Sequence, residues 1–340
     1  MSELRFNPFA DQWVIIAIER ATRPESFSSK EVEKAKPKDQ CPFCYTYEDM
    51  TPPEVYAVPV KGKDRLPNAS DWQLRVVPNK FSALSREVIP ETGFMHLGSC
   101  STTCMAFGYG AHEVIISSPD HAKSIGQLEQ KQVELIVETY QKRYRVLAKD
   151  KLVEYIQIIC NHGKAGGASL EHPHSQVFAM PFVPQVIKTE LAHFAEHRKK
   201  HKTGLMLATI EDARKRDLVV YENDGFVVFC PFWSRMPFEC WIAPKQEQAR
   251  FEEMSAEQRS LFTKALRILL QRYFMKLNNP PYNYFIHTLP VQEMRDEKKA
   301  PEYHWHVECL PRLTTQAGLE FGADVFINTM VPEKAAAFLR

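Results

Sequence analysis

Glu171-His172-Pro173-His174-Ser175-Gln176 places two imidazoles and a carboxamide at i, i+2 and i+4, and Val177, Ala179 and Pro181 follow in a strand-like run. Successive side chains of a strand alternate faces, so His172, His174 and Gln176 are expected to share one. Pro173 biases His172 toward extended geometry and supplies no backbone donor, which favours a strand at a sheet edge or beside an open site over a central, fully paired one. A neutral imidazole is both a metal ligand and a nucleophile toward phosphorus, so two such close neighbours suggest divided labour. The plainer reading is a pair of hydrogen-bonded surface histidines.

Outward from this stretch, residues 12–18, 74–77 and 113–116 read as strands. Val133, Ile136, Val137, Tyr140, Tyr144 and Leu147 recur at helical spacing and predict an amphipathic helix ending near Asp150. Residues 155–160 predict a strand, and a glycine-bearing loop then leads into His172. After a polar, basic, helix-prone stretch over 189–216 the order recurs: strands at 218–221, 226–229 and 240–243, a long helix near 256–277, and a strand at 282–287. Tyr303-His304-Trp305-His306-Val307 is a second His-x-His strand. The chain thus reads as an internal duplication with little residue identity. Hairpin strands with one long helix per half predict an α+β fold with antiparallel sheets and segregated helices, not βαβ winding. The halves divide as residues 1–185 and 186–340.

At 340 residues, 44% hydrophobic and 25% charged, the chain has ordinary globular composition and room for a real core. A net charge of +1 offers no global field for nucleic acid or an anionic membrane, so phosphate recognition must be local. There is no signal-peptide core and no apolar run long enough to span a bilayer, which predicts a cytoplasmic protein. The cysteines then read as thiols or metal ligands, with Cys160, Cys230, Cys240 and Cys309 expected in the core.

Cys41-x-x-Cys44 is half of a tetrahedral zinc site or else a reactive-thiol pair, and His121 and His172 are candidates for the other half. Gly163, Gly166 and Gly167 can turn backbone N–H groups toward a phosphate, though a flexible connection would look the same. Arg20 and Arg23 can clamp phosphates or stand as solvated charges. Glu190, His287, His304 and His306 form a set suited to Zn²⁺ or Fe²⁺, or a hydrogen-bonded histidine cluster. His193, His197 and His201 share a helix face with many lysines and read as solvated.

Taken in order, the Arg20/Arg23 segment, Cys41-x-x-Cys44, Asn79-Lys80-Phe81, Ser118-Pro119-Asp120-His121, Asn161, Ser169, the His172 to Gln176 core, Glu190, His287 and His304-x-His306 make the chain resemble the galactose-1-phosphate uridylyltransferase family, the nucleotidyl-transferase branch of the histidine triad superfamily. The resemblance implies two tandem histidine-triad-like halves and a homodimer whose active site draws on both subunits. It implies exchange of UMP between UDP-glucose and a hexose 1-phosphate, galactose 1-phosphate in galactose metabolism, by ping-pong chemistry. His174 is then the nucleophile, Gln176 and Ser169 act on the phosphates, and Arg20, Arg23, Asn79, Phe81 and Asn161 bind substrate. Cys41, Cys44, His121 and His172 match a structural zinc site. Glu190, His287, His304 and His306 match a second metal site, Zn or Fe, present in some members.

Three departures bear on specificity: Ser175 replaces a glycine, Lys80 stands where an aspartate commonly helps hold the nucleoside, and Gly318 to Asp324 only loosely matches the sugar-reading segment. A related ADP-glucose phosphorylase, or a dinucleoside-polyphosphate phosphorylase, would run adenylyl chemistry through the same histidine. A zinc-containing nucleic-acid-binding module is the rival from another class, and the near-zero net charge speaks against it.

Overall fold

The computed structural model describes residues 2–17, 41–87, 108–291 and 302–340. Arg20 and Arg23 lie outside the described residues. Within them the strands are β1 (Glu3–Asn7), β2 (Gln12–Ile16), β3 (Tyr56–Pro59), β4 (Trp72–Pro78), β5 (Ala111–Ile116), β6 (Tyr155–His162), β7 (His174–Met180), β8 (Val219–Glu222), β9 (Phe226–Phe229), β10 (Cys240–Pro244), β11 (Tyr282–His287), β12 (His306–Pro311) and β13 (Phe326–Asn328). The helices are α1 (Gln130–Leu147), α2 (Gln185–His201), α3 (Leu205–Lys215), α4 (Ala256–Lys276), α5 (Gly318–Ala323) and α6 (Pro332–Leu339).

Among the described residues, β1, β2 and β13 form a three-stranded sheet and the other strands form a ten-stranded sheet ordered β3-β4-β5-β7-β6-β11-β12-β10-β9-β8. That order reads the same from both ends when each strand is matched to its counterpart in the other half. The duplication expected from the sequence is therefore a duplication of topology. The seam is the antiparallel pair β6 and β11, with Cys160 opposite Tyr284. All pairings in the large sheet are antiparallel.

The helical spacing in α1 does what it predicts. Val133, Ile136, Val137, Tyr140, Tyr144 and Leu147 are all buried, and they join the core with Leu266, Leu269 and Tyr273 of α4. Each large side chain so buried contributes roughly 1.5–3 kcal/mol. Ser255 caps α4, accepting from Gln258 N while the Gln258 side chain accepts from Ser255 N. The polar stretch forms α2 and α3, and there His193, His197 and His201 lie on a face no better than half-buried. Cys160, Cys230, Cys240 and Cys309 are core residues, as expected.

Two expectations about the His172 strand are corrected. β7 lies in the middle of the sheet, paired to β5 on one side and β6 on the other, so of the two settings Pro173 favoured the edge is excluded, while His174 and Gln176 do border an open cavity. Pro173 is tolerated because the strand begins one residue later, at His174, so the missing N–H removes no bond from the ladder. For the same reason His172 is outside the strand, and it does not line the cavity that His174 and Gln176 share.

Gly126, in the turn before α1, packs directly against the backbone of α4 in the other half. A Cβ there would lie 2.6 Å from Leu270 C and 2.8 Å from Gln271 N, backbone atoms of α4. Gly126→Ala is expected to destabilise the protein by about 1–3 kcal/mol through overpacking, measured as a lowered denaturation midpoint at unchanged slope.

Candidate active site and metal clusters

Cys41-Pro42-Phe43-Cys44 is a tight turn in which Cys44 N donates to Cys41 O at 3.2 Å, so both sulfurs emerge on one side. Cys44 Sγ lies 3.3 Å from His121 Nδ1 and 3.5 Å from His172 Nδ1, and Cys41 Sγ lies 3.7 Å from His172 Nδ1. A tetrahedral zinc with Zn–S of about 2.3 Å and Zn–N of about 2.0–2.1 Å sets sulfur and nitrogen about 3.6 Å apart. The four buried side chains fit that ion, and the alternatives left open for Cys41-x-x-Cys44 resolve toward a metal site. His172 Nε2–H donates to the Ser118 carbonyl at 2.8 Å, which turns the Nδ1 lone pair toward the sulfurs. Burial pulls the His172 pKa down to about 4, keeping the ring neutral.

The next link is main-chain. His174 Nδ1–H donates to the carbonyl of His172 at 2.9 Å. The ring carries its proton on Nδ1, leaving Nε2 unprotonated and, among the described residues, without a hydrogen bond. Burial lowers the His174 pKa below the ordinary histidine value, against the opposing pull of that carbonyl. Phe43 packs edge-on against the ring, 5.3 Å between centroids, so the metal-binding turn also buttresses His174 from the side.

His174, Gln176, Ser169, Asn79, Lys80 and Phe81 line one cavity of about 320 Å³, whose far wall includes Pro42, Met50 and Thr51. That wall is held by a buried ion cluster in which Glu54 accepts from Arg65 and Arg75, and Arg75 reaches Thr51 Oγ1 at 2.8 Å. Asn161 lies to the other side of His174, where its Oδ1 accepts from Asn283 Nδ2. The glycine loop is a pinned turn, not a loose connection: Asn283 Nδ2 donates to Gly166 O at 2.6 Å, and Gly163 and Gly167 take positive φ of 69° and 82°.

The second half repeats the first atom for atom at two places. His304 Nε2 donates to the Pro244 carbonyl at 2.9 Å, as His172 does to Ser118, and His306 Nδ1 donates to the His304 carbonyl at 3.1 Å, as His174 does to His172. Of the expected set Glu190, His287, His304 and His306, three converge in one buried group together with Glu308, which the spacing had not singled out. The buried group that converges is Glu190, His287, His306 and Glu308. His304, which precedes β12 as His172 precedes β7, is not in that group. Its Nδ1 is buried without a partner.

His306 Nε2 is likewise buried without a hydrogen bond, 3.7 Å from Glu308 Oε1 and 3.9 Å from Glu190 Oε1. His287 Nδ1 lies 2.8 Å from Glu190 Oε1 and 3.7 Å from Glu308 Oε1. Two imidazoles and two carboxylates around one spot suit a borderline divalent ion. Burial pulls the His287 pKa down, but Glu190 and Glu308 outweigh it and the net shift is upward, so the carboxylates favour positive charge here. Arg235 pairs with Glu308, and although burial alone would raise that carboxyl, its pKa is held below the ordinary range. Glu308 was legible in principle, since it continues the i, i+2 series from His306. His112, which bonds to Gln176, had no spacing signal at all.

A pinned, buried imidazole thus stands beside a buried Cys/His group that suits a metal, in a doubled antiparallel α+β fold, an arrangement suited to nucleotidyl transfer. The chain belongs to the galactose-1-phosphate uridyl transferase family, whose N-terminal domain matches residues 1–184 and whose C-terminal domain matches residues 190–333. It is 34% identical over 99% of its length to an ADP-glucose phosphorylase of Arabidopsis thaliana, covering 92% of that protein. It is 30% identical over its whole length to a galactose-1-phosphate uridylyltransferase of Thermotoga maritima, covering 98% of it. The crystal structure of an Arabidopsis ADP-glucose phosphorylase with bound ADP-glucose superposes with a TM-score of 0.83 at 32% identity, covering all of this chain and 98% of that one. No helix of the described residues is long and apolar enough to cross a membrane.

Metal analysis of purified variants tests both clusters. Cys44→Ala is expected to lose one bound ion and to melt at lower temperature, because a structural zinc contributes folding energy directly. His306→Ala and Glu308→Ala are each expected to lose the second ion, whereas His304→Ala retains it.

Proposed function

We propose that the protein transfers UMP from UDP-glucose to a hexose 1-phosphate, galactose 1-phosphate in particular, through a nucleotidyl intermediate on His174. The observation that carries this reading is the His174 ring itself: Nδ1 bound to a backbone carbonyl, Nε2 free, and a cavity of nucleotide dimensions alongside. The Nε2 lone pair attacks the α-phosphorus as the bond to the β-phosphate oxygen breaks, and glucose 1-phosphate leaves with that electron pair. A hexose 1-phosphate oxygen then attacks the same phosphorus, releasing Nε2. The Nδ1–H bond to the His172 carbonyl lets positive charge develop on the ring in the first step and fade in the second.

Gln176 donates to a nonbridging oxygen of the moving phosphoryl group, the kind of preorganised donor on which such transfers depend. Ser169 and the neighbouring turn receive the leaving phosphate, with Asn161 on the sugar-phosphate side. Asn79 and Phe81 wall the nucleoside, and Arg20 and Arg23 neutralise sugar phosphate across a homodimer interface. The clusters at Cys41/Cys44/His121/His172 and at Glu190/His287/His306/Glu308 would supply rigidity and no bond making, with zinc in the first and zinc or iron in the second. The protein acts in the cytoplasm.

A second reading, an ADP-glucose phosphorylase passing AMP to inorganic phosphate, draws support from the 34% identity to the Arabidopsis enzyme. The two separate on donor. Intact-mass measurement after mixing with UDP-glucose or ADP-glucose alone is expected to show a uridylyl adduct mapping to His174, with release of glucose 1-phosphate. His174→Ala should abolish the adduct while keeping its melting temperature. Labelling of that variant at the native rate would overturn the nucleophile, and a faster adduct from ADP-glucose would select the second reading.

A further inference from the structure

His112 opens β5 opposite Phe178 of β7 and stacks on it, ring centroids 4.0 Å apart at 22°. It is buried, and none of the roles described so far belongs to it. Its bonds nevertheless reach both sides of the cavity. The His112 carbonyl accepts from Asn79 N at 2.8 Å, and its Nδ1 accepts from the backbone N–H of Ala83 at 3.3 Å. Nε2 lies 2.7 Å from Gln176 Oε1 and 3.0 Å from Asn79 Nδ2.

A backbone N–H can only donate, so the Ala83 contact makes Nδ1 an acceptor and puts the ring proton on Nε2. Nε2–H then donates to Gln176 Oε1, the shortest contact the ring makes. The opposite tautomer would set two N–H groups face to face at Ala83 and require the Gln176 amide to turn round. In favour of the opposite form stands only the longer contact to Asn79 Nδ2, a group whose orientation is fixed by Asn79 Oδ1 accepting from Phe81 N at 2.9 Å. Burial lowers the His112 pKa, which keeps the ring neutral as this arrangement needs.

Among the described residues, the bond to His112 is the one hydrogen bond that the Gln176 side chain makes. An amide that presents its oxygen to a phosphoryl oxygen repels it, whereas the same amide turned by half a rotation donates to it. Which end faces the cavity is thus a switch of sign in the Gln176 contribution. We propose that His112 is the positioning residue for Gln176: it holds Oε1 by its Nε2–H, aims the amide N–H groups at the phosphoryl oxygens beside His174, and through Nδ1 and its carbonyl ties that aim to the 79–83 segment forming the nucleoside wall. The assignment rests on the nucleotidyl-His174 reading given above.

Single-turnover formation of the nucleotidyl enzyme, timed by rapid quench with saturating UDP-glucose and separately with ADP-glucose, tests it. His112→Asn keeps an acceptor near Ala83 but cannot reach Gln176, and His112→Phe keeps the stacking on Phe178 but no nitrogen. Both are expected to slow labelling about 10- to 100-fold, the scale on which an outer partner of a reacting group acts, with donor affinity changed far less. His112→Gln, whose Nε2 falls near that of the imidazole, is expected to recover most of the rate. In a Gln176→Ala background, His112→Asn should cost less than a further factor of about two, since a residue that acts only through Gln176 has nothing left to orient. Native-rate labelling by His112→Asn and His112→Phe, or losses that multiply with that of Gln176→Ala, would overturn the assignment while leaving His174 in place. Wild-type protein that takes label from neither donor would overturn both.

Discussion

The bond from His174 Nδ1 to the carbonyl two residues earlier is the constraint on which the site depends. A carbonyl can hold a ring only if it is itself immobile, and this one belongs to His172, whose Nδ1 lies among the Cys41, Cys44 and His121 ligands and whose Nε2–H is bound to Ser118. Ser118 in turn follows β5, the strand that pairs directly with β7. A cation between four ligands would thus stiffen a backbone oxygen, and the oxygen fixes a tautomer. A metal there would stand one residue away from the His174 ring yet would fix its orientation through the backbone, and Phe43 of the Cys-x-x-Cys turn lies against that ring.

The second half shows the same frame used for another purpose. His304 and His306 repeat the two main-chain bonds of His172 and His174, but where Gln176 faces a cavity, Glu308 faces Glu190, His287 and Arg235. Trp241 stacks on His306 at 4.7 Å. One imidazole is therefore left open to phosphorus and the other is enclosed among carboxylates. The difference is made by the side chains around the ring, since the backbone that holds it is common to both.

Much of this was legible in the sequence, because periodicity reports burial. The α1 pattern from Val133 to Leu147 and the two His-x-His strands were placed by spacing alone, and the collinear motifs carried the ligands of the first cluster. What spacing does not carry is where a strand begins. Extrapolating the two-residue period through Pro173 placed His172 in the strand, which begins only at His174, and the missing donor of Pro173 pointed to an edge or an open site, of which only the open site holds. His112 was invisible for another reason: a single histidine at a strand start has no pattern, and only the pairing of β5 with β7 brings it to Gln176.

The seam between the halves has a consequence for how such a protein can change. Because β6 and β11 are hydrogen-bonded to each other along five residue pairs, neither half has a finished border of its own. Parted, each would present a long interior strand, with its row of unmatched amides and carbonyls, to whatever chain came near. The two copies can differ in the side chains around their rings, one facing a cavity and the other enclosed, only while the shared ladder stays complete. The ancestral doubling is in that sense irreversible: the copies are free to specialise and no longer free to separate.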